Sequence, residues 1–199
     1  MMQDIQQHYD LLIDENNDPV HDPAELQDYM DKWDGDGFLQ TLALDGTQTV
    51  MEIGVGTGRL ALRTAPLCRR FTGIDLSPKT IARAGENLAS FCNVTLLCGD
   101  FLTTVFADTY DVIYSSLTFM HIAEKEMAIA KIASLLATGG RVVLSLDKNR
   151  DKIIDYGTRK IRVYPDDTQE IAAWMKVAGL TVLSTTETAF AHIIAAERR

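Results

Sequence analysis

Residues 50–58, Val50-Met51-Glu52-Ile53-Gly54-Val55-Gly56-Thr57-Gly58, constrain what this chain can fold into more than any other stretch. A short apolar run containing one acid feeds three glycines at alternate positions. Such a turn lets backbone approach a ligand closely, where a Cβ would intrude. A helix beginning near Thr57 would aim unpaired N–H groups at the same ligand and favour an anionic group there. A second apolar run, Phe71-Thr72-Gly73-Ile74-Asp75, ends in an acid placed to accept from both ribose hydroxyls. A strand, a glycine turn and a second strand ending in an acid form a grip for a ribose-bearing cofactor.

The spacing narrows the cofactor. A nicotinamide dinucleotide fold asks for Gly-x-Gly-x-x-Gly, which needs glycine at position 59. That position is Arg59, and the third glycine comes one residue early at Gly58. Glu52, two residues before the first glycine, would repel a pyrophosphate but suits a ligand carrying an ammonium group. An NAD(P)-linked oxidoreductase is therefore the weaker alternative.

Apolar runs bounded by turn residues predict strands at 49–53, 70–75, 93–97, 110–115 and 140–146. Helices are expected at about 57–67, 78–90 and 123–137. Ser77-Pro78 supplies a cap and a proline at the first helical position of the second, and Gly139-Gly140 marks the end of the third. Beyond residue 147 the pattern changes. Asp147 to Tyr156 is polar, Arg159 to Tyr164 alternates like a strand, and a helix over 166–178 ends at Gly179. The last β-prone runs, 180–187 and 190–196, lie too close for a crossover helix and predict an antiparallel hairpin. The fold class is α/β: a Rossmann-like three-layer sandwich on a mostly parallel seven-stranded sheet with an antiparallel C-terminal hairpin.

Val50 to Gly58 resembles the first motif of the class I S-adenosylmethionine-dependent methyltransferases. Phe71 to Pro78 is similar to their second motif, Cys98-Gly99-Asp100-Phe101 to the third, and Tyr110-Asp111-Val112-Ile113-Tyr114-Ser115-Ser116 to the fourth. Leu135 to Leu144 resembles the helix, turn and strand that follow. The resemblance covers about residues 49–146 and implies a methyltransferase domain over 41–199. It implies that Gly54, Gly56, Thr57 and Gly58 shape the cofactor loop and that Glu52 faces the methionyl ammonium. Asp75 with Leu76 would meet the ribose, Asp100 with Phe101 the adenine, and Ser115 the cofactor from the fourth motif. Tyr9-Asp10 looks like the Tyr-Asp near the start of many small-molecule members, where the tyrosine approaches the methionine part. The implied activity is transfer of the methyl of S-adenosylmethionine, leaving S-adenosylhomocysteine. A non-catalytic binding module that keeps the fold is the other alternative.

The sulfonium cation already makes that methyl electrophilic, so the protein mainly holds nucleophile, carbon and sulfur in line. A base is needed only for a protonated acceptor. His121, after the fourth motif, is the candidate catalytic base; otherwise it is a packing histidine of the cofactor loop. The fourth motif reads Tyr114-Ser115-Ser116-Leu117 and lacks the Asn/Asp-Pro-Pro-Tyr/Phe of enzymes acting on nucleobase or glutamine amino groups. A small-molecule acceptor is expected.

Charge is segregated along the chain. Of 28 acids, eleven fall in residues 1–36 beside a single base, Lys32, which leaves 17 acids against 18 bases in the rest. A nucleic-acid partner would need the opposite sign. Residues 1–40 are expected to form an acidic helical lid, with Tyr9, Tyr29 and Trp33 toward cofactor and substrate and Tyr156 on a later substrate flap. The alternative is an amphipathic cover for the sheet edge. Asp18-Pro19-Val20-His21-Asp22-Pro23 has no third ligand at useful spacing, so no metal is expected. No apolar run reaches the ~20 residues of a membrane span, and residues 1–4 lack the pattern of a secretory signal. Cys68, Cys92 and Cys98 are odd in number and read as reduced, buried thiols of a cytoplasmic protein. Oligomeric state is left open.

Overall fold

A computed structural model describes residues 2–199. Its elements run β1 (Met2–Gln3), α1 (Ile5–Asp14), α2 (Ala24–Met30), α3 (Gly35–Leu42), β2 (Thr49–Ile53), α4 (Ala61–Thr64), β3 (Arg70–Asp75) and α5 (Pro78–Asn87). Then come β4 (Val94–Cys98), β5 (Tyr110–Ser115), α6 (Lys125–Leu135), β6 (Leu136–Asp147), β7 (Ile153–Asp155), β8 (Lys160–Arg162), α7 (Thr168–Val177), β9 (Leu180–Glu187) and β10 (Ala191–Arg198).

Seven strands form the main sheet in the order β4-β3-β2-β5-β6-β10-β9. β2 to β6 are parallel; β10 runs antiparallel to both β6 and β9. The expected architecture, terminal hairpin included, is present. Alternation in the central strands sends side chains to two cores. Met51, Ile53 and Ile113 join α6 and α7 residues such as Ile129, Ile132 and Met175 on one face. Val50, Val112 and Tyr114 pack with Phe38 and Leu42 of α3, Ala61 of α4 and Ala84 of α5 on the other. Because α3 spans Gly35–Leu42 and buries Phe38 and Leu42, the expected division after residue 40 falls inside a helix of the core.

Three local differences have clear causes. The helix expected over 57–67 is reduced to α4 and a 3₁₀ turn, Ala65–Leu67. Gly58 is still in the loop with φ +98°, and Pro66 lacks the N–H and clashes with the carbonyl four residues back. The helix expected to end at Gly139-Gly140 ends at Leu135 instead, and both glycines lie in β6, where the register against β5 shifts. A Cβ on Gly140 would meet the carbonyl oxygen of Ala137 at 2.8 Å, so glycine serves this irregularity. Cys68 is buried as expected, whereas Cys92 and Cys98 are exposed; all three are free thiols.

A second sheet of three strands, β1-β8-β7, was not expected. Met2 and Gln3 pair in parallel with Lys160 and Ile161, and β7 returns antiparallel to β8. The beginning of the chain is thereby joined to the segment after β6. Among the described residues no helix is long and apolar enough to cross a membrane.

Candidate active site

The site lies beyond the C-terminal ends of β2, β3, β4 and β5, where open parallel sheets bind ligands. At the end of β2 the chain turns so that the N–H groups of Gly54 and Val55 both donate to the Ile74 carbonyl, at 2.8 and 3.0 Å. Gly54 has φ +76°, and a Cβ there would sit 1.9 Å from Thr118 Oγ1. No other residue fits. Gly56 N–H donates to Asp75 Oδ2 at 3.0 Å, and Ser77 N–H donates to Asp75 Oδ1 at 3.0 Å. Burial nonetheless holds the Asp75 carboxyl above its usual range, against the pull of these bonds. One strand further, Asp100 accepts from the Leu102 and Thr103 N–H groups, and Phe101 is buried against Phe106.

These elements enclose a cavity of about 480 Å³, within the usual size range of small-molecule sites. Of the expected cofactor residues, Glu52 lines it from β2, Gly54, Gly56 and Thr57 from the glycine loop, Asp75 and Leu76 from the end of β3, and Asp100 and Phe101 from the turn after β4. Tyr9 and His121 line the side formed by α1 and the segment after β5. Gly58 lies behind the wall, its N–H closing the turn onto the Val55 carbonyl at 3.0 Å.

Four expected residues lie elsewhere. Ser115 is fully buried and donates to the Ile53 carbonyl at 2.8 Å; its neighbour Ser116 lines the cavity. Successive strand residues point to opposite faces, so one position decides which serine is reached. Tyr29 and Trp33 meet edge to face at 5.4 Å and both pack against Phe190, and Trp33 Nε1 donates to Asp147. Tyr156 lies over the ring of His8 at 4.4 Å. In their place Ile5, Pro19, Met30, Arg59 and Tyr164 complete the wall. In the sequence Arg59 stands out only as a break in glycine spacing. Its position directly after the loop was the available signal.

The buried polar groups are distinctive. Glu52 is 3% exposed, and burial pushes its carboxyl up to about 8, although the Tyr114 hydroxyl donates to it at 2.8 Å and the Arg59 charge opposes the shift. Burial thus favours the protonated form of this carboxyl. His121 Nε2 is hydrogen-bonded to Tyr9 Oη at 2.8 Å, and its Nδ1 is buried without a partner. Burial, with His8 and Lys125 nearby, pushes His121 down to about 4; burial also raises the Tyr9 phenol.

The acidic segment that closes the cavity uses its charge on the body of the molecule. Asp14 pairs with Lys79 at 2.6 Å, Asp18 with Arg83 at 3.2 Å, and Glu15 forks Arg159 at 2.6 and 2.8 Å. Asp10 accepts from Ser77 Oγ at 2.7 Å. The buried Asp34 forks Arg59 and accepts from Ser116 Oγ at 2.7 Å, and the exposed Asp36 reaches Arg63. Arg159 Nε also donates to Nδ1 of the fully buried His8 at 2.9 Å. Among the described residues no cluster of three His, Cys, Asp or Glu could hold a metal.

A parallel α/β sheet with an antiparallel end hairpin and a ribose-type acid beside a glycine loop defines a Rossmann-like nucleoside-cofactor protein. Residues 50–140 match the methyltransferase domain family. An uncharacterized methyltransferase of Geobacillus kaustophilus is 35% identical over 130 residues, 63% of this chain and 60% of the relative. The chain thus spans less than two thirds of the length of that relative. The solved N-methyltransferase NodS of Bradyrhizobium japonicum, in complex with S-adenosyl-L-homocysteine, superposes with TM-score 0.74 at 18% identity, covering 97% of both chains. Magnesium protoporphyrin IX methyltransferase of Synechocystis with bound S-adenosylmethionine gives TM-score 0.74 at 19% identity, over 98% of this chain and 95% of that one. The chain is thus similar to methyltransferases in sequence over residues 50–140, and to S-adenosylmethionine-dependent methyltransferases in fold over nearly its whole length.

Proposed function

We propose that the protein transfers a methyl group from S-adenosylmethionine to a small-molecule acceptor. The observation that carries the reading is the single cavity wall formed by Glu52, the glycine loop, Asp75 and Asp100-Phe101. It offers, in order, a carboxyl for an ammonium, backbone at a turn, a carboxylate for ribose hydroxyls and an acid with a ring for adenine. Each Asp75 oxygen accepts one backbone N–H, which leaves lone pairs for the two hydroxyls. The two structural neighbours hold S-adenosyl-L-homocysteine and S-adenosylmethionine, which supports the same ligand here.

When bound, the cofactor supplies an electrophilic methyl. The chain's own part is to orient and to exclude water. Residues 1–40, described from residue 2, serve in this reading as the lid over a domain of 41–199, with Tyr9 on the inside. His121 is neutral at neutral pH, and its one engaged nitrogen meets Tyr9. A proton leaving the acceptor would therefore reach His121 through the Tyr9 oxygen. The unpaired thiols Cys92 and Cys98 suit a reducing cytoplasm.

Calorimetry with S-adenosylhomocysteine and with NAD tests the cofactor. Binding of the first and none of the second is expected; NAD binding alone overturns the reading. For the proton path, His121→Ala is expected to lower methyl transfer far more than S-adenosylhomocysteine affinity, and equal losses would remove His121 from it.

A further inference from the structure

We infer that Arg59 is the carboxylate receptor for the amino-acid end of the cofactor, completing with Glu52 a subsite for a zwitterion. The inference rests on the S-adenosylmethionine reading above. Glu52 answers only one of the two charges of a free amino-acid group, so an opposite group is needed on the same wall. Arg59 lines that wall, and its charge acts on the Glu52 carboxyl.

The guanidinium carries five N–H donors in a fixed plane. Its end-on edge is taken: Nη1 and Nη2 fork the two oxygens of Asp34, and Nη1 also reaches Asp31 Oδ1 at 3.4 Å. The side-on edge, Nε–H with the outer proton of Nη2, has no acceptor among the described residues. Those two parallel donors match the two oxygens of a carboxylate, the bidentate geometry in which arginine binds strongly and lysine does not.

Asp34 makes this edge a fixed one. Its side chain is wholly buried and is held by the Gly35 N–H at 2.7 Å and the Ser116 hydroxyl at 2.7 Å. The guanidinium is thus oriented before any ligand arrives, which removes an ordering cost from binding. Charge does not forbid a third carboxylate beside Asp34 and Asp31. The incoming amino-acid group brings one charge of each sign, and the ammonium lies toward Glu52.

The test compares three ligands by calorimetry: S-adenosylhomocysteine, its decarboxylated analogue that keeps the ammonium, and 5′-methylthioadenosine, which lacks the amino acid entirely. A charged hydrogen-bonded pair contributes enough for about a thirtyfold change in affinity. The wild-type protein is expected to bind the decarboxylated analogue about thirtyfold more weakly than S-adenosylhomocysteine. Arg59→Ala should lose a similar factor for S-adenosylhomocysteine and change little for 5′-methylthioadenosine, with Arg59→Lys recovering only part of the loss. Equal weakening of both ligands in Arg59→Ala would make Arg59 a structural clasp and overturn the assignment. So would equal wild-type affinities for S-adenosylhomocysteine and its decarboxylated analogue, a comparison that needs no variant to fold. Wild-type protein that binds none of the three ligands defeats the cofactor reading itself.

Discussion

Residues 49–147 hold their side of the cavity with strand ladders and apolar packing, whereas residues 2–36 hold theirs with charge. On the first side β2 and β5 are buried along nearly their whole length, and the loop conformation follows from where the strands end. On the second side α2 has no buried residue, and α1 buries only His8. What fastens this segment is a row of acids meeting Lys79, Arg83, Arg159, Arg59 and Arg63. The difference separates two jobs. A wall that positions a cofactor is rigid because its contacts are numerous and apolar; a cover that must admit the cofactor is fastened by contacts that water can replace.

The largest expected effect comes from removing the charged side altogether. Deletion of residues 1–36 should abolish S-adenosylhomocysteine binding in calorimetry while far-UV circular dichroism still reports a folded sheet. Retained binding would show that the body suffices and break the contrast. Next, Gly54→Ala should weaken that ligand about a hundredfold, because the added carbon collides with Thr118 at 1.9 Å and the backbone has φ +76°. A normal affinity would mean that the loop is as adaptable as the cover.

A smaller effect is expected from pH. Burial and the Arg159 charge push His8 down to about 4, below the ordinary 6.5. The unfolded chain thus binds this proton more readily than the folded one, and stability from the neutral ring is complete above about pH 6.5 and is lost as pH falls toward 4. The groups facing His8 are Arg159, Glu15, Tyr9 and Tyr156. The thermal midpoint should drop by several degrees between pH 7 and pH 5, and His8→Asn, which keeps an acceptor for Arg159, should flatten that dependence. An unchanged slope in the variant would assign the acid sensitivity to the carboxylates. The smallest effect belongs to Asp36→Asn. Its side chain is 81% exposed, and loss of such a pair should move the midpoint by less than about 1 °C. A larger shift would show that even the outermost ion pair of the cover is structural.

The same contrast explains what the amino-acid sequence disclosed. Strands 49–53, 70–75 and 110–115 were legible to the residue because each is a buried apolar run with a glycine, proline or polar stop at its end. The cavity residues of the body were legible because the turn chemistry at Gly54 and Asp75 is local. Which of Ser115 and Ser116 lines the cavity is not legible from sequence, because a strand's alternation tells which residues share a face but not which face meets a ligand. Tyr29, Trp33 and Tyr156 stand out in sequence as aromatics, yet they pack on Phe190 and His8, which are distant in sequence. Met30, Pro19 and Tyr164 reach the cavity only through tertiary contacts that no short window contains. The acids of residues 1–36 meet the protein's own cations, which lie far away in sequence.

The pairing of Met2 and Gln3 with Lys160 and Ile161 carries one more implication. Because β1 leads directly into α1, and β8 follows Arg159, which forks Glu15 of that helix region, cover and flap are stitched by ladder, ion pair and the His8 bond together. Lifting either one would break the contacts that hold it to the other. The two segments form one contact unit at the mouth of the cavity, and the backbone amides of Gln3, Ile161 and α1 should exchange with solvent at a common rate.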